Sequence, residues 1–260
     1  MHIRKILAIS LLLATTLHAG AADLLDTVKQ RGTLRVAMEG TYPPFNYKEN
    51  GQLAGFEVEL SNALAQKLGV KADFTTGEWS ALLAGLQAGK YDVVINQVGI
   101  TDKRKETFDF SEPYTISSPQ LIVRQDEKRD FKTLADLRGK KLGLGQGTNF
   151  ADMAKAVGGI DIKTYPGSTE YLQDLALGRI DAAMNDSLLI PYIIKKTKLP
   201  LKAGAPVGEI EKNGIPFAKN NPKFKAALDK ALADMEADGS FAKISNKWFD
   251  RDVSKPPLAK

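Results

Sequence analysis

Two charged residues stand where apolar, strand-like segments run out. Arg104 lies in ITDKRKE, just past a strand tip ending at Gly99. Its guanidinium is a planar fork of donors that matches a carboxylate. Flanked by Lys103 and Lys105, it reads equally as one of three solvated cations. Asp186 follows the stretch Ile180–Met184 after one asparagine. An acid there can receive an ammonium group or cap the turn before Leu188. With Arg104 on one half of the chain and Asp186 on the other, the two would bracket a small zwitterion, one at each pole.

Other residues supply softer contacts. GQGTN (145–149) joins a strand to a helix and can turn backbone N–H groups toward an anion. It lacks the last glycine of GxGxxG and the GK[ST] of a P-loop, so it is not a nucleotide motif. GTYPPF (40–45) places Tyr42 and Phe45 around a stiff Pro43–Pro44 pair. Trp79 opens a helical stripe. These rings can sandwich the apolar or sulfur part of a small guest, or belong to the core. Glu39 ends an apolar strand, where it can meet a polar guest or cap the turn.

Composition narrows the chemistry. The chain has 260 residues and no Cys, with 43% apolar and 26% charged residues. That excludes a disordered chain, a disulfide scaffold and a thiolate metal site. Met1 to about Ala22 read as a secretory signal: Arg4 and Lys5, an apolar run from Ile6 to Leu17, then Ala19, Gly20, Ala21 and Ala22, with cleavage expected near Ala21 or Ala22. The run is too short to cross a bilayer comfortably. Both histidines, His2 and His18, leave with the signal. A mature chain without His or Cys has no Ser-His or Cys-His pair and no His-bearing metal site. Removing Arg4 and Lys5 from 36 basic residues leaves 34 against 31 acids, a net of +3. Basic and acidic residues alternate throughout, so no nucleic-acid partner is expected.

The elements that must position these groups alternate between strand and helix, which predicts an α/β fold in two lobes. Strands are expected at Thr33–Met38, Val70–Phe74 and Tyr91–Ile95. Between them, Phe56, Leu60, Leu64 and Leu68 recur every four residues, and Trp79, Leu82, Leu83 and Leu86 form a second stripe. A second series predicts strands at Leu121–Arg124, Lys141–Leu144, Ile160–Tyr165 and Ile180–Met184. Helices are expected at Thr133–Leu137, Phe150–Val157, from Ser168 (as a cap) to Leu177, and Leu188–Lys196. LQAGKYDVVIN (86–96) aligns position for position with LALGRIDAAMN (175–185), sharing Leu, Gly, a basic residue, Asp and Asn. Two lobes built from similar units would bring the tips Asn96–Gly99 and Asn185–Asp186 to one cleft. Lys225–Met235 and Phe241–Trp248 are helical with no sheet of their own, and would return to the first lobe.

GTYPPFNY, LAGFEVEL, DVVINQVGITDKRKETFDFSEPY, LADLRGKKLGLGQGTN, LALGRIDAAMND and MEADGSFAKISNKWF together resemble the periplasmic amino-acid-binding proteins of ABC importers, the bacterial solute-binding family 3. INQV, IT and SEPYTIS look most like the cystine-binding members. The resemblance implies two lobes on a two-strand hinge of the type II kind. The first lobe would span 23–116 and the second 117–211, with 212–260 returning to the first. It implies that Arg104 grips an α-carboxylate and that Asp186 takes the α-ammonium. Thr148 and Asn149 would add hydrogen bonds to the carboxylate. Tyr42 and Trp79 would pack on the side chain, which Glu39 would also face. Gln97, Val98 and Gly99 would hold the amine. Gly99 stands where many members carry Ser or Thr, leaving backbone contact alone; Leu188–Leu201 also departs from cystine-type members. The implied role is periplasmic capture of a polar amino acid, L-cystine first and glutamine or a basic one next, for a membrane permease. The protein is expected to be a monomer that needs no metal or other cofactor. The rivals are an exported sensor and a dehydratase-like enzyme on the same scaffold, whose acid or base would be Glu39 or another carboxylate.

Overall fold

The first sheet is assembled from both ends of the chain. The computed structural model describes residues 22–256, so the expected signal, Ala22 apart, lies outside the described residues. Thr33–Met38 runs parallel between Lys71–Thr76 and Val93–Val94. Pro216–Ala218, more than a hundred residues later, lies antiparallel between Val93–Val94 and Phe108–Phe110. The expected return of the chain is thus a strand inside the first sheet, not helices alone. Helices Pro222–Ala237 and Ser240–Phe249 then pack on helix Phe56–Lys67. Phe56 is met there by the rings of Phe241 and Phe249, with centroids 5.9 Å and 5.2 Å away.

The second sheet has the order Asp161–Tyr165, Lys141–Gly145, Ala182–Asp186, Pro119–Arg124, Leu201–Pro206. Its first three strands are parallel and the last two antiparallel. Two lobes follow, each α/β, as the sequence predicts. A small third sheet joins them: Glu211–Gly214 lies antiparallel between Val98–Gly99 and Thr115–Ser117. Both connections between the lobes therefore run side by side as a two-strand hinge.

The internal repeat is visible in hydrogen bonds. Gly89 and Gly178 end their helices with φ of 69° and 73°, a left-handed turn that favours glycine. In the first copy, Asp92 Oδ2 accepts from the Arg35 N–H at 2.8 Å, and its own N–H donates to Arg35 O at 3.0 Å. In the second, Asp181 Oδ2 accepts from the Lys141 N–H at 2.9 Å, and its N–H donates to Lys141 O at 2.9 Å. Each aspartate locks its strand in register with the parallel neighbour, and each strand then presents an asparagine, Asn96 or Asn185, at its far end.

Several elements differ from expectation. Helix Leu24–Arg31 and the meander Thr41–Tyr42, Asn46–Glu49, Gln52–Ala54 carry no clear apolar period. Leu134–Leu137 is a 3₁₀ turn. Ser168 is the first helical residue, and the cap is Gly167, which has no side chain to bond the first turn. The strand expected at Ile180–Met184 is Ala182–Asp186, so Asn185 and Asp186 belong to the strand.

Candidate functional site

Asn96 fixes the first wall of the cleft. Its Oδ1 accepts from the Glu39 N–H at 2.8 Å, while its Nδ2 donates to Glu39 Oε2 at 2.7 Å. Asn46 Nδ2 also donates to that Oδ1, at 2.9 Å. Glu39 is thereby held beside the cleft. Burial pushes its carboxyl up to about 7 against the Asn96 hydrogen bond, with Glu170 of the other lobe adding to the rise.

Gln97 takes the left-handed conformation, φ 47°, uncommon for a residue with a side chain. A buried carboxyl that no motif or spacing singles out holds it there. Glu57, in the first turn of helix Phe56–Lys67, accepts from the Gln97 N–H at 2.7 Å and from the Tyr114 hydroxyl at 2.5 Å. Its other oxygen accepts from Asn46 Nδ2 at 2.6 Å. Burial raises Glu57 to about 7, opposed by these hydrogen bonds. The only signal in the sequence is an acid between Phe56 and Val58, at the start of the helix whose stripe Phe56, Leu60 and Leu64 is apolar.

Arg104 extends from the short helix Asp102–Lys105, whose cap Thr101 accepts from the Arg104 N–H. Its Nη1 donates to Gly99 O at 2.9 Å, and its guanidinium carbon lies 5.4 Å from the centre of the Trp79 ring. Its neighbours behave otherwise: Lys103 reaches Asp152 across the lobes at 3.3 Å and Lys105 reaches Asp102 at 3.2 Å. Among the described residues Arg104 forms no ion pair, and burial lowers its affinity for a proton.

The second lobe supplies the facing wall. Thr148 caps helix Asn149–Val157: its hydroxyl accepts from the Ala151 N–H at 3.3 Å and donates to Gly145 O at 2.9 Å. That hydroxyl shapes the GQGTN loop. Asn149 Nδ2 donates to Glu211 Oε1 of the hinge at 2.6 Å. Tyr42 of the first lobe donates to Asn185 Oδ1 at 2.7 Å, and Asn185 Nδ2 donates to the Tyr171 hydroxyl oxygen. Asp186 is buried. Its Oδ2 accepts from Ser117 Oγ at 2.5 Å and from Asn213 Nδ2 at 3.4 Å, and its Oδ1 accepts from the Leu188 N–H at 2.8 Å. Burial pushes it up to about 6 against those bonds.

Between the walls lies about 520 Å³ of space, part of it open to solvent. Glu39, Tyr42, Trp79, Gln97, Thr148 and Asn149 line it, as do Asn96 and Asn185, one tip from each repeat. Phe45, by contrast, is fully buried core, stacked on Tyr42 at 4.9 Å. Val98 is buried in the hinge sheet. Arg104, Gly99 and Asp186 are not wall residues of this cavity; Arg104 and Gly99 adjoin its wall residue Asn149, and Asp186 is reached from them through Asn213. A Cβ on Gly99 would lie 3.4 Å from Arg104 Nη1, 3.5 Å from Asn149 Nδ2 and 3.7 Å from Asn213 Oδ1. Asn213 in turn donates to Asp186. The arginine and the aspartate are thus separated by one hinge asparagine, and Gly99 leaves open the space where these groups converge. Asn213, Glu57 and Glu211 are the site residues that pattern reading missed.

No group of three or more Asp, Glu, His or Cys poised for a metal occurs among the described residues. No described helix is long and apolar enough to cross a membrane.

Residues 34–251 match the family model described as bacterial extracellular solute-binding proteins, family 3. The chain belongs to that family. Over 253 residues it is 41% identical to the L-cystine-binding protein TcyJ of Escherichia coli K12, covering 96% of this chain and 95% of that protein. It is 36% identical over 241 residues to the L-cystine-binding protein TcyA of Bacillus subtilis 168, covering 92% and 89%. Among solved structures, an ancestral arginine-binding protein bound to arginine superposes with a TM-score of 0.80 at 37% identity, covering 84% of this chain and 99% of that one. The family and these relatives are binding proteins, and the two-lobed fold agrees with that of the solved structure.

Proposed function

We propose that this solute-binding protein captures a polar L-amino acid, L-cystine first, between its lobes and delivers it to the membrane permease of an ABC importer. The observation that carries the reading is Arg104. A half-buried guanidinium with no ion pair among the described residues, stacked on Trp79 and open toward Gly99 and Asn149, calls for an anion. The guest's α-carboxylate supplies it. Asn149 adds a donor from the second lobe, with Thr148 holding its loop. The α-ammonium goes to the buried acid Asp186 and to the strand tip Gln97–Gly99. Tyr42 and Trp79 flank the side chain, and Glu39 faces its far end.

Closure follows from the division of these groups between lobes. Arg104, Trp79 and Glu39 belong to the first lobe; Asn149 and Asp186 come from the second. A guest that touches both sets binds the closed form better than the open one, and that difference shifts the population. We place the first lobe at 23–116 and 212–260 and the second at 117–211. The signal is removed near Ala21 or Ala22, and the mature protein works in the periplasm as a monomer.

Cystine is favoured by the two relatives named as cystine-binding proteins. A basic amino acid is the second reading. Glu39 faces the side-chain end with Glu170 nearby, a pair suited to a cation. An enzyme on this scaffold would have to run on carboxylates such as Glu39. A thermal-shift screen of the standard amino acids plus L-cystine decides among these. L-cystine alone raising the melting temperature is the expected result; a shift with none of them ends the reading.

A further inference from the structure

Asn149 is the wall between two cavities. One is the main cleft; the other is a neighbouring space of about 580 Å³, likewise partly open to solvent, lined by Gly99, Thr101, Lys105, Asn149, Glu211 and Lys212 among others. Glu211 belongs to the hinge strand Glu211–Gly214, where it pairs with Ser117. Its Oε1 takes the side-chain N–H of Asn149 at 2.6 Å. That donor lies 3.5 Å from the Cβ position of Gly99, which Arg104 Nη1 approaches to 3.4 Å. A carboxylate of the protein itself therefore already uses one of the donors assigned above to a guest's carboxylate, and stands near the other.

We propose that Glu211 is a built-in competitor of the guest's α-carboxylate: it holds Asn149 while the cleft is empty, and it weakens capture whenever it is charged. The proposal rests on the amino-acid reading above and adds a residue that sets affinity. Its physics is like-charge repulsion at a half-buried site, where two carboxylates sharing donors cannot both stay ionised cheaply.

The groups facing Glu211 are few. Asn149 donates from its helix. Arg104 and Lys105 come from helix Asp102–Lys105, with Asp152 also acting on Arg104. Asp186 comes from its strand, and Lys212 is the chain neighbour. Burial first and Asp186 second push Glu211 up to about 7, while Arg104 and Asn149 pull it back. Repulsion therefore operates above neutral pH and vanishes below it, where Glu211 holds a proton. Asp186 titrates nearby in wild type and variants alike, so comparing them isolates Glu211.

Calorimetric titration of L-cystine into wild type and Glu211→Gln at two pH values tests this. Glutamine keeps the shape and the acceptor for Asn149 but never carries charge. At pH 8 the variant should bind on the order of tenfold more tightly. At pH 5.5 the ratio should fall to near one. Glu211→Ala should show the same pH-dependent ratio if the glutamine variant fails to fold. Equal or weaker binding by the variant at pH 8, or an advantage that does not change with pH, overturns the proposal. A wild type that binds no amino acid at either pH overturns the amino-acid reading and this inference with it. A wild type that binds well while Glu211→Gln gains nothing overturns only this one.

Discussion

Tyr42 on the first lobe donates its hydroxyl hydrogen to Asn185 on the second, at 2.7 Å, beneath the cavity that both residues line. This contact exists only while the lobes are together. Tyr42→Phe keeps the ring and its stacking on Phe45 and removes that bond. Amino-acid affinity should fall about fivefold, the worth of about 1 kcal/mol, with the melting temperature of the ligand-free protein little changed. Titration calorimetry on both proteins checks it; an unchanged affinity would show that this contact plays no part in closure.

Four carboxyls crowd the cleft and hinge, and they set a pH dependence of stability. Glu39, Glu57 and Glu211 are pushed to about 7 and Asp186 to about 6, chiefly by burial. Folded values above the ordinary ones mean that the folded state holds protons which the unfolded chain has released. Their favourable contribution is complete below about 4.5 and is lost as pH rises through about 7. Glu127 acts in the opposite sense. Its hydrogen bonds from Arg129 hold it near about 2, so its contribution is present above 4.5 and lost in acid. The ligand-free melting temperature should rise from pH 8 to about pH 5 and fall again toward pH 3. A steady decline from pH 8 to pH 5 would contradict this assignment of the four groups.

Gly55 is where the meander meets the helix that carries Glu57. Its φ is 125°, and a Cβ there would lie 2.3 Å from Phe45 O and 2.7 Å from Phe45 C. That backbone cannot yield freely, because Phe45 O accepts from the Glu57 N–H at 2.8 Å and Pro44 O from the Phe56 N–H at 3.0 Å. Gly55→Ala should cost about 3 kcal/mol or more in urea unfolding, through backbone strain at a forbidden conformation. A loss below about 1 kcal/mol would show that the segment adapts more easily than its geometry implies.

What the sequence made legible follows from what is periodic or local. The stripe of Phe56, Leu60 and Leu64 and the stripe of Trp79, Leu82 and Leu86 became the buried faces of helices, because spacing alone decides which side faces the sheet. The repeat around Asp92 and Asp181 predicted two similar units, since each copy carries its own glycine stop and its own register bond. The hinge was not legible strand by strand. Thr115–Ser117 and Glu211–Gly214 are short and polar, and each is a strand only because its partner lies nearly a hundred residues away. Glu57 and Asn213 were missed for the same reason: nothing near them in sequence says that they are buried, and their partners Gln97, Tyr114, Ser117 and Asp186 arrive by tertiary folding. Thr148 shows the reverse. Its position at the loop was legible, but the partners of its hydroxyl, Gly145 O and the Ala151 N–H, were not.

One titration bears most directly on whether the guanidinium is the anchor. L-Cystine should bind wild type in a calorimeter, and Arg104→Ala should lose roughly 2–5 kcal/mol of that binding, about thirtyfold to several thousandfold in affinity, while melting as a folded protein. A folded Arg104→Ala that binds L-cystine as tightly as wild type would contradict the account.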